Sequence, residues 1–76
     1  MTPQEAYLSE VARQGQEKKN FVPSPELRTI IAESADYSHR YAYHVLGKRI
    51  LEAEPLMAQD PVIWTFYLRD TFPKGV

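Results

Sequence analysis

The chain has 76 residues, 43% hydrophobic and 25% charged, with no cysteine and a formal net charge of −1. A chain this short holds one domain, with about 60% of its unfolded surface buried, and its hydrophobic fraction keeps it out of the disordered regime. Intermixed acids and bases argue against a basic stripe for nucleic acid or anionic membrane, and the lack of cysteine excludes disulfides, thiolate metal sites and a thiol nucleophile and fits a reducing cytoplasm.

Proline and hydroxyl residues mark the helix starts. Thr2-Pro3-Gln4-Glu5 supplies an N-cap hydroxyl, a proline at the first helical position and a glutamate that completes a capping box, so a first helix begins at Pro3. Its apolar residues Tyr7, Leu8 and Val11 form a narrow stripe, and the pattern fades from Gly15 into QEKKN, ending the helix between 14 and 19. Phe21-Val22-Pro23 reads as an extended connector, because proline disfavours helical geometry in the residue before it.

Ser24-Pro25-Glu26 repeats the start signal and opens a short helix with Leu27, Ile30 and Ile31 on one face. Ser34 caps a third helix in which Tyr37, Tyr41 and Val45 stack at four-residue spacing beside Ala42 and Leu46, with Gly47 as its stop and Lys48 and Arg49 beyond. A second short helix is expected over 51–58, restricted by Pro55, and Asp60-Pro61 starts a last helix that reaches about Phe72 before Pro73 and Gly75. Alternating strand patterns are missing, and no apolar run approaches the roughly 18 residues of a membrane span. The polar opening MTPQEAYLSE predicts no signal peptide, so the expected location is the cytoplasm.

Shifted by 26 places, Glu26 falls on Glu52, Ile30 on Leu56, Ile31 on Met57, Ala32 on Ala58, Ser34 on Asp60, Tyr41 on Tyr67 and Leu46 on Phe72. Each unit is a helix pair too small to bury its own apolar face, so the two must stack. The expected fold is therefore all-α: one domain over 1–76, a bundle of about five helices made of a capping helix over 1–20 and two short-helix/long-helix repeats over 24–47 and 50–73.

Within 34–61, Tyr41-Ala42, Val45-Leu46-Gly47, Arg49, Glu52, Glu54 and Asp60-Pro61 follow one another at set intervals. This segment resembles the short tandem helical repeat of proteins from large tailed bacteriophages, and the likeness covers about the C-terminal 50 residues. It departs at Ala35, where proline is usual, at Ile50-Leu51, where an aromatic and proline are usual, and at Ile63-Trp64-Thr65-Phe66, which replaces a more polar helix. The resemblance implies a helical-repeat fold and a phage origin in an infected bacterial host; it implies no reaction.

No residue set suggests catalysis, a metal or a cofactor. His39 and His44 stand about 140° apart on their helix and share no ligand face, and Glu52 and Glu54 point about 200° apart. Glu52 is placed instead to favour a helix start and to meet Arg49, while Asp36 and Arg40 form an i, i+4 surface pair. Tyr37, Tyr41, Tyr43 and Tyr67 lack a basic field and read as core and interface residues.

The last helix is the exception to an ordinary pattern. Val62, Ile63, Trp64, Phe66, Tyr67, Leu68 and Phe72 project almost all round it, with no polar arc wider than about 80°. Trp64, Leu68 and Phe72, which share a face, together with Tyr43 and Tyr67, are therefore the expected protein-binding residues. The expected function is a non-enzymatic module that binds and inhibits or modulates a host protein, in the manner of anti-defence or anti-CRISPR proteins. The alternatives are a virion or homo-oligomeric assembly protein, with a homodimer as partner state, and a small helical nucleic-acid binder.

Overall fold

In the computed structural model, which describes residues 1–71, the chain forms five α-helices and, among the described residues, no strand. They are α1 (Pro3–Glu17), α2 (Pro25–Ile31), α3 (Ala35–Tyr41), α4 (Glu54–Met57) and α5 (Pro61–Thr71). Phe72, Pro73 and Gly75 lie outside the described residues.

The caps sit where the sequence places them. Thr2 Oγ1 accepts from the Glu5 amide at 3.1 Å, and the Glu5 carboxylate accepts from the Thr2 amide at 2.8 Å. Ser24 and Ser34 cap α2 and α3, and Asp60 Oδ1 accepts from the amides of Val62 and Ile63 at 3.1 and 3.2 Å to start α5. The predicted third helix changes character midway: α3 runs directly into a π-helical turn, Ala42–Leu46, that ends on Gly47 at φ 66°. Glycine bears that left-handed conformation without the penalty a Cβ would bring. The second short helix divides into a 3₁₀ turn, Leu51–Ala53, followed by α4. Pro55 is accommodated because it lies in the first turn of α4, where its missing N–H has no intrahelical acceptor to lose.

The repeat is visible in the backbone. Hydrogen bonds Ala32→Arg28, Glu33→Ile30, Ser34→Ile31 and Ser38→Ser34 reappear 26 residues on as Ala58→Glu54, Gln59→Leu56, Asp60→Met57 and Trp64→Asp60, with lengths of 2.8 to 3.2 Å. Buried positions correspond too, Ile31 with Met57 and Tyr41 with Tyr67. α3 is the shared element, packed against α1, α2, α4 and α5. Its buried Ser38 hydroxyl donates to the Ile31 carbonyl at 3.0 Å, a second bond on an acceptor that also takes the Ser34 amide, and so ties α3 to the end of α2.

Each repeat is pinned by a buried tyrosine, a carboxylate and a backbone amide. In the first, fully buried Glu10 accepts from the Tyr41 hydroxyl at 2.9 Å and the Ser24 amide at 3.0 Å through Oε2, while Arg13 donates to Oε1. Arg13 also donates to the Val22 carbonyl at 2.8 Å and lies over the Phe21 ring at 4.8 Å, fastening the connector. In the second, the Tyr67 hydroxyl donates to Glu54 at 2.6 Å and accepts from the Ile50 amide at 3.1 Å, while Arg49 grips Glu54 at 2.7 and 2.8 Å. Tyr41 and Tyr67, and Ser24 and Ile50, are repeat-related; the two glutamates are not. Arg49 thus pairs with Glu54 rather than with the Glu52 expected from the sequence, and Glu52 crosses instead to Arg28 of α2. Asp36 and Arg40 form the predicted exposed pair at 3.0 Å.

α1 corrects the sequence reading. Its inward face carries Ala6 and Glu10, fully buried, with Tyr7 half-buried; Leu8 is 54% exposed and Val11 37% exposed. The buried carboxylate decides the rotation of the helix, because Glu10 must meet its three donors and this turns Leu8 toward water. The helix then ends at Lys18, whose φ of 50° is costly for a residue with a Cβ.

Glu10→Gln, which keeps the side-chain shape and removes the charge, is expected to lower unfolding stability by about 2 kcal/mol in urea titrations. Lys18→Gly should raise it by about 1 kcal/mol, because the turn it relieves is already open to solvent.

Candidate protein-binding surface

α5 lies at the edge of a flat body measuring 32 × 28 × 15 Å. A slab this thin covers a helix of about 10 Å diameter on one side only. The inward arc of α5 carries Tyr67, fully buried, with Ile63 and Trp64 packed on the core cluster beside it. Its outward arc carries Thr65 and Arg69, flanked by Val62, 63% exposed, and Phe66, 40% exposed.

Phe66 links α5 to α3. The His39 ring stacks on it with centroids 6.4 Å apart, and Arg69 lies over the same Phe66 ring with the guanidinium carbon 4.8 Å from the ring centre. His39 Nε2 meets Asp70 Oδ2 at 2.8 Å, the side-chain bridge that ties α3 to the far end of α5. Burial pushes the Asp70 carboxyl up, but the His39 and Arg69 contacts outweigh it and hold the group below its ordinary range. One helical turn beyond His39 stands Tyr43, 53% exposed, with its ring edge-on to His44. The contact of His39 with Phe66 thus has Val62 one turn along α5 and Tyr43 one turn beyond His39 in the π-helical turn, and these four residues are taken together as an aromatic and apolar strip.

The expected binding residues separate on this surface. Tyr43 belongs to the strip. Leu68 is 37% exposed but lies about 200° around α5 from Phe66, so it faces the opposite flank. Trp64 is half-buried and stacks on Tyr67, with centroids 5.5 Å apart and planes 22° apart, which makes it chiefly a packing residue. Tyr67 is corrected outright: its side chain has no exposure, because its hydroxyl is needed by Glu54 and the Ile50 amide. Phe72 lies outside the described residues. Phe66 and Val62 were the residues missed, although their four-residue spacing beside Thr65 and Arg69 on the helical wheel marks the water-facing side.

Elsewhere the tyrosines serve the fold. Tyr37 is half-buried against Tyr7, ring centroids 5.5 Å apart, with Arg40 over it at 5.2 Å. Among the described residues, no three His, Cys, Asp or Glu side chains come together in a way that could hold a metal ion, and no helix is long and apolar enough to cross a membrane. In comparisons with known proteins, the chain matches no family model, no curated protein and no solved structure. The class defined by the coordinates is thus a small all-α bundle.

The Tyr67 clamp has a pH signature. Burial and the Glu54 carboxylate push the Tyr67 hydroxyl up to about 12, from an ordinary 10.0. The folded state therefore holds the proton that the unfolded chain releases, and the clamp's contribution is intact below pH 10.0 and lost as pH rises toward about 12. Glu54 is shifted the other way, lowered chiefly by Arg49, so its contribution is intact above pH 4.5 and fades in acid. Urea midpoints measured across pH should fall on both sides of this window, and Tyr67→Phe should flatten the alkaline limb while lowering stability at neutral pH by about 1 kcal/mol.

Proposed function

We propose that this chain is a non-enzymatic protein-binding module whose contact surface is the strip formed by Tyr43, His39, Phe66 and Val62. One observation carries the reading: Tyr43 of the π-helical turn and Val62 and Phe66 of α5 stand exposed although the fold has already filled its core with other members of the same elements. Aromatic anchors framed by charged residues, here Arg69 and Asp70, are the common composition of a recognition patch. The acids and bases that could serve chemistry are engaged in fastening the fold, Glu10 with Arg13 and Tyr41, Glu54 with Arg49 and Tyr67.

The finer reading is a phage-encoded inhibitor or modulator of a bacterial host protein, acting in the host cytoplasm. It is supported by the resemblance of 34–61 to phage helical repeats, by analogy from fold to role. A second reading, self-assembly, has its own observation. On α1 the exposed residues Leu8, Val11, Ala12 and Gly15 fall at the spacing of one helical face, and a side chain added at Gly15 would meet open space.

Val62→Glu with Tyr43→Ser tests the reading cleanly. Both side chains are exposed, and an acid in the first turn of α5 is favoured by the helix dipole, so thermal stability should change by no more than about 0.5 kcal/mol. The wild-type chain, immobilised in bacterial lysate, should capture a host protein that the double variant captures at least about tenfold more weakly. Equal capture by both would exclude the strip. Light scattering on the unliganded chain decides between the readings: a dimer dispersed by Leu8→Glu supports self-assembly through α1, and a monomer removes it.

A further inference from the structure

A second surface lies away from α5. A depression of about 400 Å³ is lined by Arg28, Lys48, Arg49 and Leu51. Folding alone assembles it, since Arg28 lies in the last turn of α2, Lys48 and Arg49 follow the π-helical turn and Leu51 opens the 3₁₀ turn.

Its cations are arranged unequally. Arg49 is gripped by Glu54. Arg28 is held at one point, with Nε donating to Glu52 Oε1, and its two terminal nitrogens make no hydrogen bond among the described residues. Those nitrogens keep some access to solvent, because no fully buried polar side-chain atom is left without a partner among the described residues. Lys48 is exposed and makes no ion pair among the described residues. Leu51 is 60% exposed beside them, an aliphatic wall in an otherwise ionic setting.

We propose that this depression binds an acidic peptide segment of a partner protein, with one carboxylate seated on the Arg28 fork and Lys48 and a neighbouring apolar side chain against Leu51. The Nη1/Nη2 edge left open can receive a carboxylate through two parallel bonds, and the Glu52 contact at Nε restricts the group beforehand. Preorganisation of this kind reduces the ordering that binding would otherwise require. The charge suits a single carboxylate: three cations set against Glu52 and Glu54 leave one net positive charge, too little for a polyanionic backbone. The apolar wall selects a peptide over a bare anion, since inorganic phosphate has nothing to place on Leu51. The proposal rests on the protein-binding reading only in that its ligand is a peptide, and it uses residues outside the α5 strip.

The test is a titration followed by backbone amide NMR, with terminally blocked Leu-Asp-Leu as probe and Leu-Asn-Leu and inorganic phosphate as controls. The acidic peptide should give saturable shifts confined to the amides of Arg28 and of 48–51. Lys48→Ala should weaken it about tenfold, and Arg28→Lys, which keeps the charge and removes the fork, should weaken it by a similar factor. The proposal is overturned if the asparagine peptide shifts the same amides equally, if phosphate matches the acidic peptide, if neither variant changes the affinity, or if no saturable shift occurs. Circular dichroism of both variants checks that they fold. Repeating the titration on the Val62→Glu, Tyr43→Ser chain separates the two surfaces, since that variant should bind the peptide with unchanged affinity whether or not the strip has a partner.

Discussion

A carboxylate with no access to water needs donors on every side, and Glu10 collects them from three parts of the chain: Arg13 of its own helix, the Ser24 amide at the start of α2, and the Tyr41 hydroxyl of α3. Leaving any of these unmade would strand a buried charge, a penalty of several kcal/mol in a domain whose whole stability is of order 5 kcal/mol. The network therefore fixes more than a local contact. It sets the rotation of α1, the path of the connector and the position of the first repeat against the capping helix.

The same device recurs at Tyr67, whose hydroxyl joins Glu54 and the Ile50 amide. The tyrosines and amides are repeat-related, but the carboxylates arrive from different places, one from α1 and one from α4. A stacked pair of short helical units needs a partner for each inner face, and only the first unit has α1 beside it. The second must supply its own carboxylate. It also leaves α5 at the rim of a thin body, where one side of the helix meets solvent. The exposed strip is thus a consequence of the architecture as well as of the composition of α5.

The helix starts were legible because capping is local: Thr2, Ser24, Ser34 and Asp60 each act on amides within three residues. Gly47 was legible for the same reason. The repeat was legible through equivalences such as Tyr41 with Tyr67, and the structure adds the reason those positions matter, a shared hydrogen-bonding role. By contrast, Leu8 looked like core and nothing marked Glu10, since composition along a helix says nothing about distant donors. The candidate site was only partly legible. Tyr43 was named, but Trp64 and Tyr67 were chosen as aromatic anchors on an all-round apolar helix, and such residues fill a core as readily as they anchor an interface.

By itself, then, the amino-acid order determined the capped helix starts, the all-α class and the twofold internal repetition, because caps, prolines and apolar spacing act over a few residues. Tertiary structure alone decided which way α1 faces, which acid meets Arg49, and that Phe66 and Val62 rather than Tyr67 meet water. Even the short-range pair of Arg49 with Glu54 is set by partners 13 to 31 residues apart in the chain, since Tyr67 holds Glu54 and Arg28 takes Glu52, as Tyr41 holds Glu10. Burial and pairing at such separations are properties of the assembled body, and no window of sequence contains both partners together with the solvent they exclude.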